Sequence, residues 1–460
     1  MGVGNLLGLA RDALNAQGYA LNVTGQNIAN ANTPGYVRRD AVLETRINGT
    51  VTYGGVVAKE IHRSVDTFLD ARAYVATSHE QGAKSRDQAL AGIESLFNDV
   101  QGTGLSSSIN ELFASFNQLA NSPNDPIVRQ MALSRADGFA ARLRDTSNQI
   151  SQQRTDMLTQ AQGTAAEVNS LASQIAKLNG QITFAENTGG DAADLKDQRD
   201  GLASKIATHL DVHIFTDGSG KMVVAAGGST LVEGDRSASL AVATHPDGSL
   251  AFLLTRPSGV NADITAQVNG GTLGGLREAR DVDALAATQK LDQFAYDVAT
   301  AINTQHAAGY GADGLNGRNL FLLGGVAGAA ATIALDSAMV GRPDRLAAAS
   351  TAASLPGGGD NAILLSSLAD KAIANGATRT PIESYSDLVG DIGQRKAEAA
   401  QNVALRTAMR SQAEGMRLSV SGVSMDEEMV KLSQYQRAYE AASKLLRTAD
   451  ELLAGLMQSI

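Results

Sequence analysis

In this 460-residue chain, six histidines and a few clusters of oxygen-bearing side chains are the groups whose types and spacing suggest chemistry. His209 and His213 stand four apart, the separation at which one helix face offers two imidazoles to a metal. Helical periodicity stops at Leu210, however, with no intervening Glu and no third ligand. Gly270–Gly275 is glycine-rich ahead of a helix, but it lacks the Lys and Ser/Thr of a phosphate loop and the spacing of a dinucleotide fingerprint. It reads as a turn. Asp313, Asn316 and Asn319 lie three apart in a Gly-rich loop, without the alternating oxygens and closing Glu of a calcium loop. No Gly-x-Ser-x-Gly elbow occurs, and the lack of cysteine removes thiolate ligands, thiol nucleophiles and disulfides. Adjacent carboxylates such as Glu427/Glu428 and Asp450/Glu451 read as solvated helix faces. These residues predict no catalytic group, no cofactor and no metal.

The charge balance narrows the class further. With 38 Lys+Arg against 48 Asp+Glu and no basic cluster, the chain lacks the surface that displaces counterions from nucleic acid. Neither nucleic acid nor acidic lipid is expected as a partner. The longest apolar run, Leu320–Leu335, is Gly- and Ala-rich and shorter than the ~20 residues of a spanning helix. No membrane insertion is expected. No apolar stretch of signal-peptide quality precedes a cleavage site, so export would have to read an uncleaved chain.

The elements that must do the work are the two ends. Ala13–Val37 carries no charge, yet Leu7, Leu14, Leu21 and Ile28 recur every seven residues, with Ala10, Gln17, Thr24 and Ala31 three further on. The other faces carry uncharged amides such as Asn15, Asn22, Gln26, Asn27 and Asn30, in place of the Lys and Glu that usually solvate an exposed helix. Such a helix is suited to being surrounded by protein. It should stop at Asn32-Thr33-Pro34-Gly35. At the other end Met425, Leu432, Tyr439, Leu446, Leu453 and Ile460 form a second seam, flanked by Tyr435, Ala442, Ala449 and Leu456. Ser424 and Glu427 have capping-box spacing, and Asp426–Glu428 complement the helix dipole. The helix would run about 34 residues, or ~50 Å at 1.5 Å per residue. Two ordinary amphipathic helices over a core would give the same pattern, but both seams lie at chain termini, where docking needs a partner.

Between the seams, Tyr36–Ile61 reads as a hairpin or extended arm, followed by helix from Asp66 to Asn121 with a loop at Gly102–Gly104. Asn124-Asp125-Pro126 marks the start of a long helix reaching Glu186, with Gly163 the place where it would break. A shorter helix, Asp191–Leu210, follows. Val212–Phe215, Met222–Ala225, Ser239–Thr244 and Leu250–Leu254 read as strands of at least two hairpins. Helix returns from Leu276 or Asp281 to His306, and again from Ser384, with a division near Ser421-Gly422. The fold class is therefore mainly α with a smaller β domain: terminal coiled-coil-type helices, a long-helix bundle and a β-hairpin-rich outer domain.

The end segments resemble those of bacterial flagellar axial proteins, the rod, hook and junction subunits. The resemblance is carried by Ala13-Leu14-Asn15, by Asn27-Ile28-Ala29-Asn30-Ala31-Asn32-Thr33-Pro34-Gly35-Tyr36, and by Gln436-Arg437-Ala438-Tyr439-Glu440-Ala441. Ser421–Met429, Gly270–Asp281, Gln305-His306-Ala307-Ala308-Gly309-Tyr310, and Asn124-Asp125-Pro126 with Arg129-Gln130 narrow it to the hook-associated junction proteins. It covers nearly the whole chain. In larger members an outer β domain separates the Gln305–Tyr310 segment from the last helical arm; here only Gly311–Pro381 fills that interval.

The resemblance implies four units. Residues 1–80 with 421–460 would be terminal helices and extended arm, forming an inner tube in the assembly and disordered or loosely helical in the isolated subunit. Residues 81–210 with 276–325 and 382–420 would be a helical bundle, 211–275 a β-rich outer domain, and 326–381 a Gly/Ala-rich connection left by reduction or loss of a further domain. The central helices 281–306 and 384–419 would pack on the long helix 125–186. It further implies an extracellular structural adaptor, secreted by the flagellar type III export apparatus. Its partners would be copies of itself in a ring, the hook subunit, a second hook–filament junction protein, and an export chaperone on the C-terminal helix. The assembly interface would comprise Leu7, Leu14, Leu21, Asn27, Ile28, Ala29, Asn30, Thr33, Pro34, Gly35, Tyr36, Met425, Leu432, Tyr435, Tyr439, Ala442, Leu446, Ala449, Leu453 and Leu456. The alternatives are a hook or distal rod subunit, or, in a different class, a secreted enzyme carried on a flagellar scaffold.

Overall fold

The computed structural model describes residues 3–48, 51–97 and 104–458. Apolar periodicity and end signals build its frame. Helix α1 (Val3–Ala29) leads into a two-stranded antiparallel hairpin, β1 (Arg39–Asn48) and β2 (Val51–Arg63). Helix α2 (Thr67–Ser95) starts where Asp66 accepts from the backbone N–H groups of Phe68 and Leu69. Helix α3 (Leu105–Asn121) follows, then α4 (Pro126–Asn187), capped by Asp125 with Pro126 in its first turn. At 62 residues α4 spans about 90 Å. It runs without interruption through Gly163, because the buried stripe Ile150, Met157, Ala161, Val168, Leu171 and Ile175 outweighs a glycine that costs about 1 kcal/mol.

After α5 (Ala193–His209) come two antiparallel sheets. One has the order β3 (Val212–Thr216), β4 (Met222–Ala226), β5 (Ser229–Glu233), β6 (Arg236–Ser237); the other is β7 (Ser239–Thr244), β8 (Leu250–Thr255), β9 (Asn261–Asp263). The strands β5, β6 and β9 were not legible beforehand, being short and flanked by glycine. Two α4 asparagines fasten the sheets to the helix. Asn179, fully buried, donates to the carbonyls of Met222 and Gly234 and accepts from the Met222 N–H; Asn169 exchanges hydrogen bonds with the Leu240 backbone. The apolar core is therefore continuous from bundle to sheets.

The glycine run at 270 is helical, not a turn. Helix α6 (Gly271–Glu278) begins there and passes through one wide π turn (Ala279–Asp283) into α7 (Ala284–Ala308). Its glycines are needed for contact: a Cβ on Gly275 would lie 2.2 Å from the Gly82 carbonyl of α2, and one on Gly271 would lie 2.4 Å from the backbone of His209 and Leu210. Residues 326–381 pack onto the bundle, with Ala329, Ala330, Ile333, Met339, Leu346, Ala348, Ala362 and Leu365 in the core. The segment contains α8 (Ala329–Thr332), α9 (Asp360–Ser366) and β11 (Ala334–Leu335), which pairs with β10 (Phe321–Leu322) just before it.

Helix α10 (Pro381–Ser421) opens with a full capping box, Thr380 with Glu383, and α11 (Met425–Gln458) completes the chain. Helix α10 packs antiparallel along α2 and touches α7, while the expected packing on α4 is replaced by that on α2. Charge supports this pairing: Lys396–Asp87 at 2.6 Å and Arg410–Glu80 at 2.8 Å join α10 to α2, and Arg395–Asp283 at 3.2 Å joins it to the π turn. Among the described residues, no helix is long and apolar enough to cross a membrane.

Candidate assembly interface

Helix α1 lies between α11 on one side and the β1–β2 hairpin on the other. It runs antiparallel to α11, since Asn27 meets Glu428 while a Cβ on Gly18 would sit 3.8 Å from the Tyr439 ring. The buried face of α1 is Ala10, Ala16, Ala20, Val23, Thr24 and Asn27. Leu7, Leu14, Leu21 and Ile28 are half-buried, on the shoulders of that face instead of its centre. Small residues at the centre let neighbouring backbones approach, and the leucines close the flanks. On α11 the pattern repeats: Ala442 and Ala449 are buried, Leu432, Tyr435, Leu446 and Leu453 half-buried, and Met425 and Tyr439 exposed. The Leu456 side chain and Ile460 lie outside the described residues.

At the base of this pair sits a polar knot. Asn27, with no exposure, donates to the Arg39 carbonyl at 2.7 Å and to a Glu428 carboxylate oxygen at 2.9 Å. Its own carbonyl accepts from the Arg39 N–H and from the Tyr36 hydroxyl. Glu428 is fully buried, which overturns its reading as a solvated neighbour of Glu427; Lys431 neutralises it at 3.1 Å and reaches Asp40 at 2.6 Å. Glu427 is exposed and pairs with Arg38 at 3.2 Å. The loop between makes this closure possible: Asn30 donates to the Gln26 carbonyl, Thr33 donates to Asn30, and Gly35 turns with φ of 82° to bring Tyr36 back to Asn27. Ala29, Thr33, Pro34 and Gly35 themselves are exposed. Thr33, Pro34, Gly35 and half-buried Asn30 edge an open groove of about 600 Å³ whose far wall is Asp194, Gln198 and Gly201 of α5.

Sequence reasoning missed the ionic connection from this knot to the bundle. Arg39, buried under the Tyr36 ring at 4.9 Å, pairs with Asp194 at 2.7 Å and with Asp197. Arg63 reaches Asp197 and Asp200, each at 2.6 Å. The signal available was the Asp194, Asp197, Asp200 spacing, which puts three carboxylates on one face of α5. Also missed were the exposed apolar side chains of α10's distal half, Leu405, Met409 and Leu418, and those of Met429 and Val430 early in α11.

The groups first considered for chemistry are otherwise engaged. His209 ends α5 and His213 lies on β3 with its side chain exposed, so the two do not share a helix face. Asp313 is held by Arg318 at 2.7 Å. His306 is a structural bridge: its Nδ1 bonds the Arg318 carbonyl at 2.7 Å and its Nε2 accepts from the Ala347 N–H at 3.0 Å. Burial pushes its pKa down to about 4, keeping it neutral. Among the described residues, no group of three His, Asp or Glu is placed to hold a metal ion.

Comparisons with known proteins follow this geometry. The family described as "Flagellar hook-associated protein FlgK helical domain" matches residues 90–321. The two ends match rod families, "Flagella basal body rod protein" at 7–36 and "Flagellar basal body rod FlgEFG protein C-terminal" at 416–459. Flagellar hook-associated protein 1 of Bacillus subtilis (strain 168) is 28% identical, with 96% of each chain covered. That of Salmonella typhimurium is 31% identical over 70% of this chain and 60% of its own, and that of Escherichia coli (strain K12) 24% identical over 98% and 99%. The solved flagellar hook junction protein FlgK from Burkholderia pseudomallei shares the fold, with a TM-score of 0.68 at 19% identity, covering 77% of this chain and all of that one. The rod families reach only the ends, so a hook or rod subunit is not favoured, and with half the length matched by its helical domain the chain belongs to the flagellar hook-associated protein FlgK family, structural proteins of the hook–filament junction.

Proposed function

We propose that this chain is an adaptor that forms a ring at the distal end of the hook and joins hook to filament through packing of its long helices. The observation that carries the reading is that Leu405, Met409 and Leu418 of α10 and Met425, Met429 and Val430 of α11 remain exposed although α2 and α1 already pack on these helices. Large apolar side chains left exposed along two long helices fit a surface that a partner covers. Copies of the same chain, the hook subunit and a second junction protein are the partners this reading assigns.

Under it, residues 1–80 with 421–460 are the tube-forming unit, 81–210 with 276–325 and 382–420 the supporting bundle, and 211–275 the outward β unit; 326–381 buttresses the bundle. The chain is secreted uncleaved through the flagellar type III apparatus, with a chaperone covering α11 before assembly. Its action is mechanical and needs no cofactor or catalysed reaction. The test is a strain lacking the gene, complemented with the full chain or with one ending at residue 424. The reading expects hooks without filaments in the first and third cases and restored filaments in the second. Filaments on the truncated chain would refute it.

A further inference from the structure

With no cysteine in the chain, all of its sulfur is methionine sulfur, and the placement is uneven. Five of the ten methionines, Met409, Met416, Met425, Met429 and Met457, belong to the distal half of α10 and to α11. Burial separates them from the rest. Met157, Met222 and Met339 sit in the core at no more than 4% exposure, whereas Met409 of α10 is 47% exposed and Met425 and Met429 of α11 are 46% and 53% exposed. Met425 and Met429 are four apart and share one face of α11, and Met409 precedes the elbow at Ser421-Gly422 that joins the two helices. Met131 near the start of α4 and Met457 near the end of α11 are exposed as well. An exposed thioether offers a flexible apolar knob to a packing partner and, by the same exposure, a sulfur lone pair to any dissolved oxidant.

We propose that Met409, Met425 and Met429 are a site of oxidative modification, at which peroxide converts the thioethers to sulfoxides and thereby blocks the contact that α10 and α11 make in the assembled junction. In each conversion the sulfur lone pair attacks one peroxide oxygen; an S–O bond forms, the O–O bond breaks and, after proton transfer, water leaves. Sulfur gives up two electrons and hydrogen peroxide takes them. The product is polar and chiral where the thioether was apolar and adaptable. Covered by a helix that offers it no hydrogen-bond donor, each sulfoxide should weaken the contact by roughly tenfold or more. The core methionines are shielded by the side chains packed on them. The inference rests on the adaptor reading, in which the exposed thioethers stay open to solvent from export until incorporation and are closed off afterwards.

The full chain would be treated with hydrogen peroxide, mapped residue by residue by mass spectrometry, and offered to hooks isolated from a strain lacking the gene. Met409, Met425 and Met429 should oxidise well before Met157, Met222 and Met339, and binding of the treated chain should fall by about tenfold or more. Methionine sulfoxide reductases for both sulfoxide epimers should restore it. The triple variant Met409→Leu, Met425→Leu, Met429→Leu keeps volume and apolarity, so it should bind hooks as the wild-type chain does and go on binding after peroxide. Met131→Leu, the exposed control on α4, should give no protection. Where leucine itself disturbs binding, reductase rescue of the wild-type chain decides. Core methionines that oxidise as fast as the exposed ones, treated chain that binds as well as untreated, a loss that the reductases do not reverse, or a triple variant as sensitive as the wild type overturns the proposal. Untreated chain that fails to bind hooks refutes the adaptor reading itself, which tells the two failures apart.

Discussion

Asn27 and Glu428, 401 positions apart, share a 2.9 Å hydrogen bond from which solvent is excluded on both sides. The contact ties the end of the first helix to the start of the last. Asn27 also satisfies the Arg39 backbone in both directions, so a single amide fixes helix, hairpin and C-terminal helix together. An isosteric apolar residue would take the Asn27 hydrogen bond from the Arg39 N–H and carbonyl and from the Tyr36 hydroxyl, and would leave the Glu428 carboxylate with Lys431 alone. At roughly 1–3 kcal/mol per abandoned buried group, Asn27→Leu should open the knot. Hydrogen exchange should show lost protection at Tyr36–Asp40 and the first turns of α11, while the bundle keeps its protection. Unchanged exchange across this segment would contradict the assignment.

The glycines of α6 and α2 invite a paired comparison. Gly275 has no room for a Cβ against the Gly82 carbonyl, so Gly275→Ala should force the helices apart at a cost of about 1–3 kcal/mol. Gly138, exposed and inside α4 with nothing within 4 Å of a Cβ, should behave oppositely. Gly138→Ala is expected to stabilise by about 0.4–1 kcal/mol through the unfolded chain. Urea unfolding of the bundle reads both signs; the same sign for the two would refute the packing argument.

His306 predicts a pH dependence of folding. Its pKa is pushed down to about 4 in the folded chain from an ordinary 6.5, so between these values the unfolded state binds a proton that the folded state refuses. Stability is fully present above about pH 6.5 and declines as pH falls, by about 3 kcal/mol at pH 4. The loss should concentrate where His306 bridges Arg318 to Ala347. Titration of the His306 ring by nuclear magnetic resonance, with unfolding measured at pH 7 and 4.5, tests it; a ring that titrates near 6.5 would be inconsistent with the bridge.

Much of this frame was legible in the sequence because long helices advertise their buried stripes. Asp125-Pro126 and Ser424 marked starts that lie within a residue or so of those found. What stayed hidden depends on residues far apart. Gly270–Gly275 looks like a turn by propensity, and only Gly82 in α2 explains why glycine is needed in a helix there. The partner of α10 was misjudged because α2 and α4 are both long and amphipathic, and the supporting ion pairs of Asp87 and Glu80 have no local signature. Residues 326–381 have no periodicity to read. They are held by side chains that bond loop backbones, Asp292 to Gly328 and Ala330, and Arg129 to Pro343 and Leu346, while Asn303 fixes Leu320 and Phe321 just before them. On α1 the heptad singled out Leu7, Leu14, Leu21 and Ile28, which are half-buried, whereas Ala10, Ala16 and Ala20 form the buried centre of the face turned to α11 and the hairpin.

That last difference sharpens the test of the seam. Leu446 is half-buried on α11 between buried Ala442 and Ala449, so a carboxylate at this position would enter a surface already closed by α1 and extended by neighbouring copies under the proposed function. Burying an unpaired charge there costs several kcal/mol per subunit unless it neutralises or the contact opens. The bundle core contains no α11 residue, so thermal unfolding of the bundle in Leu446→Asp should shift by less than about 2 °C, whereas a loss inside the core shifts it by several degrees. Assembly should fail instead, giving hooks without filaments and junction protein shed into the medium. Loss of a chaperone contact on the same helix would lower export before assembly, and quantifying secreted protein separates the two causes. Ala449→Leu supplies a second arm, since overpacking the buried centre should impair incorporation without introducing charge. If both variants enter the flagellum at wild-type levels with normal motility, the α1–α11 face is not a buried contact in the assembled structure.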